Sequence, residues 1–215
     1  MMERGEWMQC RSGRRVWPQD PRPEDIDIED IASGLRCARF GYQSEDAYTV
    51  DQHSVLVSLE VERIVRNDAG LTFEQPLLRA LVEQVFWGLM HDAAEGLLGD
   101  VIWPVKRAPE LAGYKALEAR MMKAIVQRYR MLPEEPEVVK LADIRLLATE
   151  KRDIMDYPTE EARSAGRENT AAREQQGAWH SDHIEPLTTR IIAWQPNAAR
   201  REFLRRFREL EALRT

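Results

Sequence analysis

The sequence predicts an all-α protein, and three observations carry that expectation. Apolar residues return at spacings of three and four in one segment after another, the mark of amphipathic helices. Runs that alternate apolar and polar residues, as a half-buried strand would, are scarce. Proline and glycine fall mainly at the edges of the periodic segments, where they separate one helix from the next.

Residues 1–23 hold three prolines and the cluster Arg11, Arg14 and Arg15, so they read as an irregular arm. After Pro23, the acidic Glu24 and Asp25 open a short helix with Ile28, Ile31 and Leu35 on one side, ending near Gly41. Residues 49–67 form a stronger helix: Val50, Val57, Val61 and Ile64 share a face with His53, and Thr49 or Asp51 can cap the start. A third helix is predicted over 74–98, with Pro76 in its first turn, Leu78, Val82, Val85 and Leu89 as the inward stripe, and Gly99 as the stop. Two more follow, over 109–131 with Leu111, Tyr114, Leu117, Met121 and Ile125, and over 136–155 with Val139, Leu146 and Leu147; Pro133 and Pro136 part them. Residues 157–186 turn polar and read as a long, partly helical excursion. Residues 197–214 close the chain with a basic helix whose Phe203, Phe207 and Leu210 pack back on the domain.

With 215 residues, 43% hydrophobic and 32% charged, the chain can bury a core without staples. No apolar run reaches the roughly 18–20 residues that cross a bilayer, and the amino end lacks the apolar stretch of a secretion signal, so no membrane and a cytoplasmic address are expected. Two cysteines, Cys10 and Cys37, exclude a disulfide framework and a Cys-rich zinc site, so any metal must sit on His and carboxylate. The net charge of −6 argues against a stable nucleic-acid partner, because phosphate-backbone binding needs a basic face.

Three groups interrupt the inward stripes with polar chemistry, and burying such groups is costly unless they are paired or bind a cation. His53 is the first. Asp92 follows Val85 by seven residues and Leu89 by three, beside His91; Asp143 lies four beyond Val139 and three before Leu146. Singly, each has a bland explanation, such as a hydrogen-bonded core histidine. Together, two imidazoles and two carboxylates from three successive inward faces make a mixed nitrogen and oxygen shell suited to one divalent transition metal ion, Co, Mn, Zn, Fe or Ni.

The order His53, then His91-Asp92 within HDAAEGLLGD, then Asp143 within VKLADIRLLATEKRD resembles the HD-domain metal-dependent phosphohydrolases, most closely their 5′-deoxynucleotidase-like branch. Phage dATP triphosphohydrolase-like proteins are a second resemblance. The motif core spans residues 39–153, and the stretch RRVWPQDPRPEDIDIEDIA and the tail are also similar to related phosphohydrolases. The resemblance implies an HD-domain helical bundle over 24–156, with 157–215 as excursion and C-terminal helix of the same domain. It implies His53, His91, Asp92 and Asp143 as ligands of one metal ion, and Glu95 and Asp100 as catalytic carboxylates. It further implies hydrolysis of a nucleotide by attack of metal-activated water on phosphorus. Glu95 would orient or deprotonate that water and Asp100 would protonate the leaving oxygen, or the two roles exchange.

Arg39 falls near a phosphate-contacting Arg of the branch; the residue after it is often Trp there and is Phe40 here, which bears on how a ribose 2′-hydroxyl would be discriminated. Lys106 and Arg107, just past Pro104, are further phosphate candidates, and Trp17, Phe40, Tyr42 and Trp103 are candidate base contacts. His180 and His183 form an H-x-x-H pair with no other ligand-rich motif around it, which reads as a solvated loop. The rivals to a 5′-deoxynucleotidase are a dNTP triphosphohydrolase on the same scaffold and, from another class, a non-catalytic nucleotide-binding module. Related phosphohydrolases form homo-oligomers, but no heptad or distinctive interface is legible here.

Overall fold

A computed structural model describes residues 4–44, 46–155 and 184–215. The protein is all-α: the described residues form eight α-helices, and among them extended pairing is confined to one short hairpin and an isolated bridge. The helices are α1 (Ile28–Gly34), α2 (Val50–Asp68), α3 (Arg79–Met90), α4 (Glu95–Leu98), α5 (Trp103–Lys106), α6 (Ala112–Tyr129), α7 (Glu137–Asp153) and α8 (Pro196–Arg214).

Helix α2 packs against α3, α7 and α8, so nearly its whole circumference is covered. Val50, Val57 and Val61 are fully buried, as their spacing requires. This packing also buries Gln52, His53, Ser58, Glu62 and Arg66, and each of these finds a partner. Thr49 stands at the N-cap, but its hydroxyl bonds the Asp51 carboxylate rather than the helix backbone. Helix α8 buries Phe203, Phe207 and Leu210 against α3 and α2, the face expected of it.

The expected arm pairs with itself. Strands β1 (Met8–Gln9) and β2 (Arg15–Val16) form an antiparallel hairpin, Val16 is fully buried, and Arg4 ties the arm to Asp20 and Asp25. The first helix is shorter than expected at both ends. Pro23–Asp25 is a separate 3-10 turn, and Asp27 accepts from Glu29 N to start α1. After Gly34 the chain makes a second turn, Arg39–Tyr42, in which Phe40, Gly41 and Tyr42 all take positive φ.

The third helix differs most from its expectation. It begins at Arg79, because Leu78 is extended (φ −64°, ψ 143°) and caps the helix instead of joining it, and Leu78 is 67% exposed rather than inward. Pro76 lies in the preceding loop, which Arg66 fixes by donating to the carbonyls of Thr72 and Gln75. At its other end α3 stops at Met90. The next backbone bonds run three residues back, Ala93 N to Met90 O and Glu95 N to Asp92 O, and this tighter winding separates α3 from α4.

Two close approaches set this corner. A Cβ on Gly34 would meet Gly96 O at 1.7 Å, and one on Gly96 would meet Ile31 O at 2.5 Å, so α1 and α4 touch backbone to backbone. A Cβ on Gly88 would lie 2.9 Å from Val61 Cγ2, which brings α3 against α2 one turn from the site.

Candidate functional site

Helices α2, α3 and α7 converge on one point. His53 comes from the first turn of α2, His91 and Asp92 from the tight turn after α3, and Asp143 from the middle of α7. His53 Nε2 lies 3.3 Å from His91 Nε2, 3.1 Å from Asp143 Oδ1 and 3.7 Å from Asp92 Oδ2, and His91 Nε2 lies 3.3 Å from Asp92 Oδ2. Ligand atoms around one first-row cation with bonds of about 2.0–2.2 Å lie roughly 3.0–3.5 Å apart, so three of these separations suit neighbours on one coordination sphere, and that from His53 to Asp92 is slightly longer.

The orientation of the rings fits the same reading. His91 Nδ1 donates to Gly88 O at 2.9 Å, and His53 Nδ1 meets the Glu150 carboxylate at 2.5 Å. With each Nδ1 committed, the two Nε2 lone pairs face each other and two acids, an arrangement stable only with a proton or a cation between them.

The local charge points the same way. Asp92, Glu95, Asp100, Asp143 and Glu150 surround the point, and the fixed cations are Arg39 and Lys106. Burial lowers the proton affinity of His91, but Asp92 and Asp143 outweigh it and push its pKa up to about 10. Burial would raise Asp92, yet the two histidines and Arg39 hold its carboxyl far below the usual carboxylate range. The site therefore favours added positive charge.

Glu95 opens α4 and is 7% exposed. Its Oε1 accepts from Lys106 Nζ at 2.6 Å, while its Oε2 is buried with no partner. Burial, with the negative charge of Asp92, raises its pKa to about 8 against the pull of Lys106. Such an orphaned carboxyl oxygen, with its pKa near neutrality, can give a proton to a ligand or take one from it. Asp100 follows the positive-φ turn at Gly99, and burial raises its pKa although Arg39 and Lys106 oppose the shift.

Of the expected substrate contacts, Arg39 reaches the site. Its guanidinium spans Asp92 Oδ2 at 3.4 Å and Glu150 Oε2 at 3.3 Å, and lies 5.4 Å from the centre of the Phe40 ring. Lys106 also arrives, but its ammonium is engaged by Glu95 and, at 2.9 Å, by Glu118. Tyr42 and Trp103 are exposed, and Ile102 approaches Gly41, so the 39–42 turn and the start of α5 meet. Arg107 lies over the Trp103 ring, whereas Trp17 packs beneath Arg4 in the arm. His180 and His183, with most of the polar excursion, lie outside the described residues.

Two residues escaped the sequence reading. Glu150, fully buried, accepts from His53, Arg39 and, at 2.7 Å, the Tyr48 hydroxyl, and Arg39 and His53 hold its pKa down at about 2 although burial would raise it. Its position was legible: Val139, Asp143, Leu146 and Glu150 continue one stripe of α7. Tyr48, outside any helix, carried no such signal.

No family model matches the chain. The sequence is similar to an uncharacterized protein of Rhodobacter capsulatus, 40% identical over 139 residues that cover 63% of this chain and 64% of that protein, just under two thirds of its length. It is also similar to the uncharacterized protein YfdR of Escherichia coli, 33% identical over 144 residues that cover 66% of this chain and 69% of YfdR. By that identity, sustained over more than two thirds of the bacterial relative, the chain belongs to the YfdR family.

Proposed function

We propose that the protein is a metal-dependent phosphohydrolase of the HD type acting on a nucleotide, in the first instance a 5′-deoxynucleotidase. The observation that carries the reading is the meeting of two Nε2 lone pairs with Asp92 and Asp143, both Nδ1 atoms being committed elsewhere. His53, His91, Asp92 and Asp143 would hold one divalent transition metal ion. When bound, the ion supplies a more acidic water and draws charge from the phosphoryl oxygens.

The chain's own groups account for the rest of the reaction. In the ionised form that Lys106 favours, Glu95 Oε2, buried and free, accepts a proton from the attacking water, and Lys106 on Oε1 fixes the carboxylate's aim. A nucleoside 5′-oxygen leaves poorly as an alkoxide, and Asp100, whose pKa is raised, supplies its proton. Arg39 donates to phosphate oxygens from between Asp92 and Glu150. One P–O bond breaks and one forms, giving nucleoside and orthophosphate. Asp143, with 40% of its side chain exposed, marks the open side through which substrate enters.

Metal-loaded protein incubated with dAMP, AMP, dATP and ATP tests the reading. Orthophosphate from dAMP supports it; triphosphate from dATP would assign the triphosphohydrolase reaction instead. Nucleotide binding without turnover across Mn²⁺, Co²⁺, Zn²⁺, Fe²⁺ and Ni²⁺ would leave a non-catalytic module.

A further inference from the structure

We infer that Glu150 is a positioning residue whose one carboxylate sets both the tautomer of His53 and the aim of Arg39, joining the cation-holding and anion-holding halves of the site. Glu150's role at the cation rests on the metal ligands proposed above, and its role at a phosphate on the phosphohydrolase reading.

Glu150 is fully buried, so its oxygens must find donors inside the protein. Oε1 takes the Tyr48 hydroxyl at 2.7 Å and His53 Nδ1 at 2.5 Å; Oε2 takes Arg39 Nη2 at 3.3 Å. An ionised carboxylate only accepts hydrogen bonds. The proton of a neutral His53 is therefore placed on Nδ1, and the Nε2 lone pair is turned toward His91, Asp92 and Asp143. The opposite tautomer would point an N–H into that group and could not ligate.

Arg39 depends on the same carboxylate. Its Nη1 bonds Asp92 and its Nη2 bonds Glu150, while its Nε is buried without a partner. The plane of the guanidinium is thus set by two acids, one of them Glu150, and its remaining N–H groups are left for an incoming anion.

The helix turn that carries Glu150 is anchored without it. Thr149 Oγ1 donates to Arg145 O at 2.8 Å and accepts from Leu187 N at 2.9 Å. Asp153 accepts from Ile191 N at 2.7 Å, and Arg152 donates to the carbonyls of Leu187 and Thr189. The segment after the excursion is bound to α7 by these neighbours, which leaves the Glu150 side chain to the site.

The test is a titration of metal-stripped protein with Co²⁺, followed by the cobalt absorption bands, and a parallel measurement of inorganic phosphate affinity. Glu150→Gln keeps the shape but offers an amide donor to one of its partners; Co²⁺ affinity should fall about 10–100-fold with altered bands, and phosphate affinity should fall as well. Tyr48→Phe removes one hydrogen bond and spares His53 and Arg39, so both affinities should stay within about threefold. Unchanged Co²⁺ binding in Glu150→Gln, or an equal loss in Tyr48→Phe, overturns the inference. If Glu150→Gln fails to fold, ¹⁵N resonances of His53 in the metal-free wild type decide: a proton on Nδ1 supports the inference, one on Nε2 alone overturns it. Wild-type protein that binds Co²⁺ and phosphate but hydrolyses no nucleotide removes the phosphohydrolase reading and leaves Glu150's role standing. Wild-type protein that binds no Co²⁺ ends both.

Discussion

Helix α2 carries buried charge at both ends, and the two ends are built to opposite purposes. Near its C-terminus, Glu62 lies between Arg66 at 2.7 Å and Arg206 of α8. Arg66 spends its remaining donors on the carbonyls of Thr72 and Gln75, and Arg206 on Ser58 and Glu209. The two arginines hold the Glu62 carboxyl below its ordinary range although burial acts against them. Near the N-terminus, His53 faces an excess of acids, Arg39 Nε and Glu95 Oε2 are buried without partners, and Glu95 is pushed the other way. Similar residue types thus make a closed clip at one end and an incompletely paired, acid-rich cluster at the other. What separates them is charge balance and completed hydrogen bonding, not burial.

The largest expected effect sharpens that contrast. Glu95→Gln should lower the rate of nucleotide hydrolysis by about 10²–10⁴-fold while leaving metal bound, whereas Asp92→Ala should lose metal and rate together. Activity assays with metal analysis of the same samples check both, and an Asp92→Ala protein with intact metal content and rate would remove the ligand assignment. The clip should behave inversely: Glu62→Gln leaves two buried arginines short of a partner and should cost about 3–5 kcal/mol of stability, read by denaturant unfolding, with Co²⁺ affinity unchanged.

Smaller in energy is the packing at the corner that places Glu95. Gly96→Ala must push a methyl group into the Ile31 carbonyl, which should destabilise by about 1–3 kcal/mol. Because α4 shifts to relieve it, turnover should fall more than stability alone accounts for.

The subtlest test is pH. Glu95 has a folded pKa raised from 4.5 to about 8, so its favourable contribution is complete below pH 4.5 and is lost as pH rises toward 8. Glu62 is depressed from 4.5, so its contribution is present above that value and is lost on acidification. Relative to metal-free wild type, Glu95→Gln should therefore gain thermal stability between pH 5 and 8, and Glu62→Gln should lose its disadvantage as pH falls below 4.5. Melting curves across that range check both signs; parallel shifts would erase the distinction between the two ends.

The sequence disclosed what periodicity can disclose. His53, Asp92 and Asp143 stood out because each broke an apolar stripe, and the structure brings them together with His91. Glu150 lies on the same α7 stripe but carries no distinguishing signal in sequence, since a lone acid near a helix end suits solvent as well as a core. The break after Met90 was hidden because three-residue and four-residue backbone bonding draw on the same residue types. The approach of Gly34 to Gly96 was hidden for another reason: a contact between backbones leaves no side chain to read.

Four side chains from α2, the turn after α3, and α7 are proposed to close around one cation. Crystals soaked in Mn²⁺ or Co²⁺ and measured at the metal's absorption edge test it most directly. One anomalous peak is expected about 2.0–2.2 Å from His53 Nε2, His91 Nε2 and a carboxylate oxygen of both Asp92 and Asp143. A map with no peak there, and with the imidazoles and acids bonded only to one another, would contradict it.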